Sequence, residues 1–207
     1  MTETENLGKL GAVLLAAGGS SRLGQAKQLL HIDGESLVTR MARHLIELGP
    51  AKVIVVTGSA SQAVNDQLSG LSVQIVHNAR WKEGMASSLS TGVENLPVEI
   101  EGVLIMLCDQ WQVGLPELQA LVQAWFIDIS VIIAASWITE ERYIIGPPAI
   151  FPRNLFHELI CLKGDRGARA VIEKNRERTS LLAMDRARFD LDKPEDLVAF
   201  RNQRGNF

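Results

Sequence analysis

Four short stretches of the chain are apolar almost without interruption: residues 52–57, 73–77, 102–107 and 130–135. A fifth, residues 10–15, precedes them. A strand with one wet face alternates polar and apolar side chains. Near-continuous Val, Ile and Leu instead mark strands buried on both faces, as in a parallel sheet covered by helices. Helical patterns separate the runs, at residues 36–48, 61–68, 86–95 and 116–125. This alternation predicts the α/β class: a three-layer, doubly wound, Rossmann-like and mostly parallel sheet with right-handed crossovers. The last third is less regular. Pro147, Pro148 and Pro152 bracket a short strand at 149–151, residues 154–162 and 169–175 read as helical, and Pro194 starts a final helix ending near Phe200. No linker or internal repeat interrupts the pattern, so the expectation is one domain over residues 1–207, with polar residues 1–8 as a flexible tail.

The first run leads into Leu14-Leu-Ala-Ala-Gly-Gly-Ser-Ser-Arg-Leu-Gly-Gln-Ala-Lys-Gln-Leu-Leu30. Gly18, Gly19 and Gly24, with Ser20 and Ser21, leave little side-chain bulk. Such a loop can turn its backbone N–H groups inward around an anion. Arg22 and Lys27 add a guanidinium fork and a point-charge ammonium, and residues 10–32 contain no acid. A nucleoside triphosphate is the polyanion that suits this set. The spacing is not that of a P-loop, because Gln25 follows Gly24. It is not G-x-G-x-x-G in any frame either.

Hydrophobic residues make up 46% of the chain and aromatics 5%, so aliphatic side chains must fill the core. A net charge of −3 gives no nucleic-acid footprint, and the basic loop is a local site. Cys108 and Cys161 form no CxxC pair, no signal peptide is visible, and no apolar run reaches the roughly 18 residues of a membrane span. A cytoplasmic protein with neither membrane nor nucleic acid as partner is expected.

Two acidic groups stand out. Asp109 follows the run at 102–107, where a carboxylate at a strand end suits either a turn cap or Mg²⁺ shared with phosphate oxygens. Asp190 and Asp192 point to one face if their segment is a strand. Glu195 and Asp196 suit the first turn of a helix after Pro194. Cys108 reads as core, and His31, His44, His77 and His157 have no ligand spacing. Gly84, Met85, Ala86, Ser87 and Ser88 open a helix with small and hydroxyl side chains, which either pack closely or offer donors to a polar ligand. Trp81 reads as core or rim rather than a stacking platform.

The glycine loop resembles the signature L-A-A-G-x-S-x-R-x-G-x-x-K-x-L of the MobA-like nucleotidyltransferases. Leu15, Ala16, Ala17, Gly18, Ser20, Arg22, Gly24, Lys27 and Leu29 fall in register. The chain is similar to the molybdenum cofactor cytidylyltransferase branch over residues 10–200. The resemblance implies a nucleotide-diphospho-sugar-transferase-like fold and Mg²⁺-dependent transfer of CMP from CTP to a phosphorylated acceptor, molybdenum-bearing molybdopterin above all, with release of pyrophosphate. It implies Arg22, Lys27 and Asp109 as catalytic. The nucleotide would be contacted by Leu15, Ala16, Ala17, Gly18, Gly19, Ser20, Ser21, Arg22, Gly24, Lys27, Gly84, Met85, Ala86, Ser87, Ser88 and Asp109. The metal would lie on Asp109 and Asp190, with Asp192 as substitute.

Gln110, Gly146, Pro148, Asp165 and Gly167 match segments that would line the acceptor pocket, and Arg166 and Arg169 could meet an anionic acceptor. Two positions depart from the branch: Trp111 stands where relatives carry proline, and Lys193 where they carry threonine. Ala17, glycine in guanylyl-transferring relatives, narrows the space for a base and favours CTP over GTP. The alternatives are transfer of another nucleotide on the same fold, or a non-catalytic nucleotide-binding accessory to a molybdoenzyme partner, with Trp111 as its anchor.

Overall fold

The computed structural model describes residues 7–19, 23–140, 142–191 and residue 196. Its centre is a seven-stranded sheet in the order β5-β4-β1-β6-β8-β7-β9. The strands are β1 (Leu10–Ala16), β4 (Lys52–Thr57), β5 (Gln74–His77), β6 (Gly102–Leu107), β7 (Ile132–Ile138), β8 (Tyr143–Pro152) and β9 (Thr179–Ala183). β5, β4, β1 and β6 are parallel neighbours, β8 runs antiparallel to both β6 and β7, and β9 is parallel to β7. The sheet is therefore mostly parallel and Rossmann-like, as the alternating pattern predicts.

The three layers follow from the pleat. On β1, Leu10, Ala12 and Leu14 join one buried cluster while Val13 joins the other. On β6, Leu104 and Met106 face the first cluster and Val103 and Ile105 the second. The first is covered by α1 (Leu37–Leu48), α2 (Ser61–Gln67) and α4 (Leu115–Ile127). The second is covered by α3 (Met85–Glu94), α5 (Phe156–Ile160) and α6 (Arg169–Lys174). Ser36 caps α1, accepting from the Thr39 N–H, and Gly49 ends it at φ 80°.

Three elements differ from expectation. The short strand at 149–151 lies near the carboxyl end of the ten-residue β8. The segment at 154–162 divides into a 3-10 turn, Arg153–Leu155, and the one-turn α5. β9 was not visible because an edge strand needs little apolar surface, and Thr179, Ser180 and Ala183 give it none of the expected run. A small hairpin, β2 (His31–Ile32) and β3 (Glu35–Ser36), turns at Asp33-Gly34, both at positive φ. The helix expected after Pro194 lies outside the described residues. Among those described, no helix is long and apolar enough to cross a membrane.

Candidate active site

The parallel strands carry their carboxyl ends to one edge. Leu15 of β1 lies beside Leu107 of β6, and Ala16 lies beside Thr57 of β4. The segments leaving these strands must therefore meet. The Cys108 N–H donates to the Leu15 carbonyl (3.2 Å) and the Ser59 N–H to that of Ala17 (3.2 Å). The Ser59 hydroxyl reaches the Gly18 carbonyl at 3.1 Å. Gly58 is squeezed between strands and loop: a Cβ there would lie 2.8 Å from the side-chain Cβ atoms of Ala17 and Trp81.

Gln28 sets the course of the glycine loop. Its amide donates to the Ala16 carbonyl (3.1 Å) and the Gly18 carbonyl (2.7 Å) from a position 1% exposed. Both amide protons are spent, and its Oε1 has no partner among the described residues.

A cleft of about 410 Å³ opens at this edge. Of the expected site residues, Leu15, Ala17, Gly18, Gly19, Lys27, Gly84, Met85, Ser88, Asp109 and Asp165 line it. Gln28, Trp81, Lys82, Leu107 and Cys108 line it as well. Lys27 and Asp109 form a direct ion pair in its floor, their side chains 18% and 10% exposed. Partial burial makes each charge depend on its partner, since few waters replace it. Cys108 is buried beside them. Desolvation, reinforced by the Asp109 charge, pushes its thiol far above the ordinary range and keeps it protonated.

The opposite wall is the start of α3. Asn78, 2% exposed, donates to the hydroxyls of Ser87 (2.8 Å) and Ser88 (3.0 Å) and accepts from the Arg80 N–H. Ser87 passes its proton to a backbone carbonyl, that of Arg80 or Gly84. Ser88 faces the cleft, and its own O–H has no acceptor among the described residues, so it remains a donor for a ligand. Gly84 sits at φ 105°, and a Cβ there would run into the Gly164 carbonyl. The Ala86 N–H donates to that same carbonyl at 3.0 Å, seaming α3 to the 163–168 segment and setting Asp165 at the rim. Trp81 stands on the wall with its ring against Gly19 and the Lys82 ammonium 5.6 Å above it.

Other expected residues lie elsewhere. Ala16, Ala86 and Ser87 turn their side chains into the interior, and Gly24 (φ 67°) is exposed outside the lining. Ser20, Ser21, Arg22, Asp192, Lys193 and Glu195 lie outside the described residues. Asp190 is exposed just beyond the 3-10 turn Asp185–Arg188 and does not line the cleft. Among the described residues no group of three or more His, Cys, Asp or Glu could hold a metal.

Gln110 is 3% exposed and spends its amide on the carbonyls of Pro147 (2.7 Å) and Ala187 (3.0 Å). Gln110, Gly146, Pro148 and Gly167 are outside the lining. Gly167 makes room for the Met85 sulfur. Trp111 is half-buried against the core and meets Phe189 edge-on at 6.3 Å.

Sequence reasoning passed over Gln28 and Asn78. Each is a buried amide beside a glycine- or serine-rich turn, and that juxtaposition was the available signal.

Residues 12–179 match the model of the MobA-like NTP transferase domain, and the chain belongs to this family of nucleotidyltransferases. The purine catabolism protein PucB of Bacillus subtilis (strain 168) is 27% identical over 198 residues, which cover 89% of this chain and 92% of PucB. A Mycobacterium sp. strain JC1 homolog of Mycobacterium tuberculosis rv0371c superposes with a TM-score of 0.82 at 25% identity, over 96% of this chain and 98% of that one. Rv0371C of Mycobacterium tuberculosis H37Rv, solved as a complex with manganese, has a TM-score of 0.76 at 24% identity, over 96% and 100%.

Proposed function

We propose that this chain, as a single cytoplasmic domain, transfers CMP from CTP to a phosphorylated small molecule, molybdenum-bearing molybdopterin in particular, with Mg²⁺ as the divalent ion. The observation that carries the reading is the juxtaposition of Lys27 and Asp109 in a glycine-bordered cleft at the strand ends. One is a group for phosphate and the other a group for a cation. Asp109 already has a cation against its carboxylate, the Lys27 ammonium, so its surroundings suit positive charge.

In the reaction an acceptor phosphate oxygen attacks the α-phosphorus, the bond from that phosphorus to the bridging oxygen breaks, and pyrophosphate leaves. Lys27 stabilises charge on the α-phosphate oxygens, and Arg22 holds the β- and γ-phosphates. Such catalysis is chiefly alignment and electrostatic stabilisation. Asp109, with Asp190 or Asp192, would hold the divalent ion, which supplies charge neutralisation on the phosphates when bound. Ala17 lines the cleft, where alanine in place of glycine favours a pyrimidine, and Ser88 offers a proton to the ribose or base.

Thermal stabilisation by CTP, GTP, ATP and UTP, each with and without Mg²⁺, tests the nucleotide. CTP with Mg²⁺ at 100 times its dissociation constant adds about 2.7 kcal/mol, a rise of roughly 5–11 °C in Tm for a chain of this size. Pyrophosphate release with molybdenum-bearing molybdopterin then tests the acceptor, and Asp109→Ala abolishes that release. A preference for GTP discards the base assignment. CTP binding without release on molybdenum-bearing molybdopterin discards the acceptor.

A further inference from the structure

The ion pair in the cleft floor joins two groups that the reaction must use apart. Lys27 is needed on phosphate and Asp109 on a cation, yet without ligands they neutralise one another. The Lys27 side chain can change partners while its backbone stays in place. Its backbone opens the 3-10 turn Lys27–Leu29, the Leu30 N–H closes on its carbonyl at 3.2 Å, and the next residue, Gln28, is pinned to Ala16 and Gly18. A four-carbon stem on a fixed backbone swings its ammonium without rearranging the loop. A divalent ion approaching Asp109 while the ammonium is in place meets a like charge at short range in a partly desolvated floor.

We propose that Lys27 gates the cation site: it is the resident cation of Asp109 until a triphosphate draws it away, so that nucleotide binding creates the metal site. The inference rests on the reading of Asp109 as a metal ligand. Nucleotide then precedes metal, and by linkage the metal strengthens nucleotide binding by the factor with which the nucleotide strengthens metal binding.

The test is Mn²⁺ binding to the protein without nucleotide, read from the electron paramagnetic resonance signal of free Mn²⁺. The wild-type chain should bind Mn²⁺ weakly. Lys27→Met and Lys27→Gln, which remove the resident charge by two different routes, should bind it about tenfold more tightly or better, within the usual range of coupling between sites. Lys27→Arg, which keeps a cation in the floor, should stay near wild type. Asp109→Asn in the Lys27→Met background should return binding to the weak level. Equal Mn²⁺ affinity in wild type and both neutral variants overturns the gate. If that shared affinity is lost in Asp109→Asn, the metal ligand stands without a gate. If Asp109→Asn changes nothing, the ligand assignment falls with it.

Discussion

The two sides of the sheet contribute to the cleft by different routes. In β5, β4, β1 and β6 every strand runs the same way, so the segments after them reach one edge without detours. Asn78, Gly58, Gly18 and Asp109 gather there because strand direction is uniform. On the other side β8 runs backwards between β6 and β7. Its contribution, Gly164 and Asp165, comes instead from the connection between α5 and α6, seamed onto α3 by one backbone hydrogen bond. Uniform direction collects functional groups, whereas a reversal forces the chain to bring them back through a loop.

A pair of glutamines repeats the contrast. Gln28 and Gln110 are each almost fully buried, each donates to two backbone carbonyls, and each has an Oε1 without a partner among the described residues. Gln28 ties the phosphate loop to its own strand. Gln110 ties the end of β6 to β8 and to the 3-10 turn Asp185–Arg188.

The largest effect should separate two glycines across the cleft. Gly84→Ala meets both a left-handed backbone and the Gly164 carbonyl, and should cost about 3 kcal/mol, lowering Tm by roughly 6–12 °C. Gly18→Ala has no described heavy atom within 4 Å of the new Cβ, and should leave the stability of the free protein within about 0.5 kcal/mol of wild type while weakening CTP binding. Calorimetry with and without CTP measures both. Equal destabilisation would show that the phosphate loop is packed rather than open.

The glutamine pair is expected next. Gln28→Leu and Gln110→Leu each strand two carbonyls and should cost about 1–3 kcal/mol. Only Gln28→Leu should weaken CTP binding in titration calorimetry. A CTP defect in Gln110→Leu would join the two sides into a single binding unit.

The smallest effect concerns thiols. Cys161 is exposed at the end of α5, 3.4 Å from the His157 ring, and should react with iodoacetamide at pH 8. Cys108 should remain unlabelled, because its raised pKa keeps the thiolate absent until far higher pH. Mass spectrometry finding both thiols modified would show the parallel edge opening in solution.

The parallel side was legible because strands buried on both faces are written as unbroken apolar runs. Residues 52–57 and 102–107 coincide with β4 and β6. β9 was not, since an edge strand with exposed Ser180 and Ala183 carries no such run. Within the site, glycines and charges announced themselves by type. The buried amides did not, because Asn and Gln read as ordinary polar residues until their partners are known.

Local pattern by itself determined the class of fold, the glycine loop after the first strand, and the chemical types available there: amides, an ammonium and a carboxylate. Those depend on side-chain volume and periodicity over a few residues. Only the tertiary structure decided that Lys27 faces Asp109 across 82 positions, that Gln28 holds the loop, and that Asp165 reaches the rim. Such contacts are set by strand order and register, which arise from packing a whole sheet rather than from any one segment.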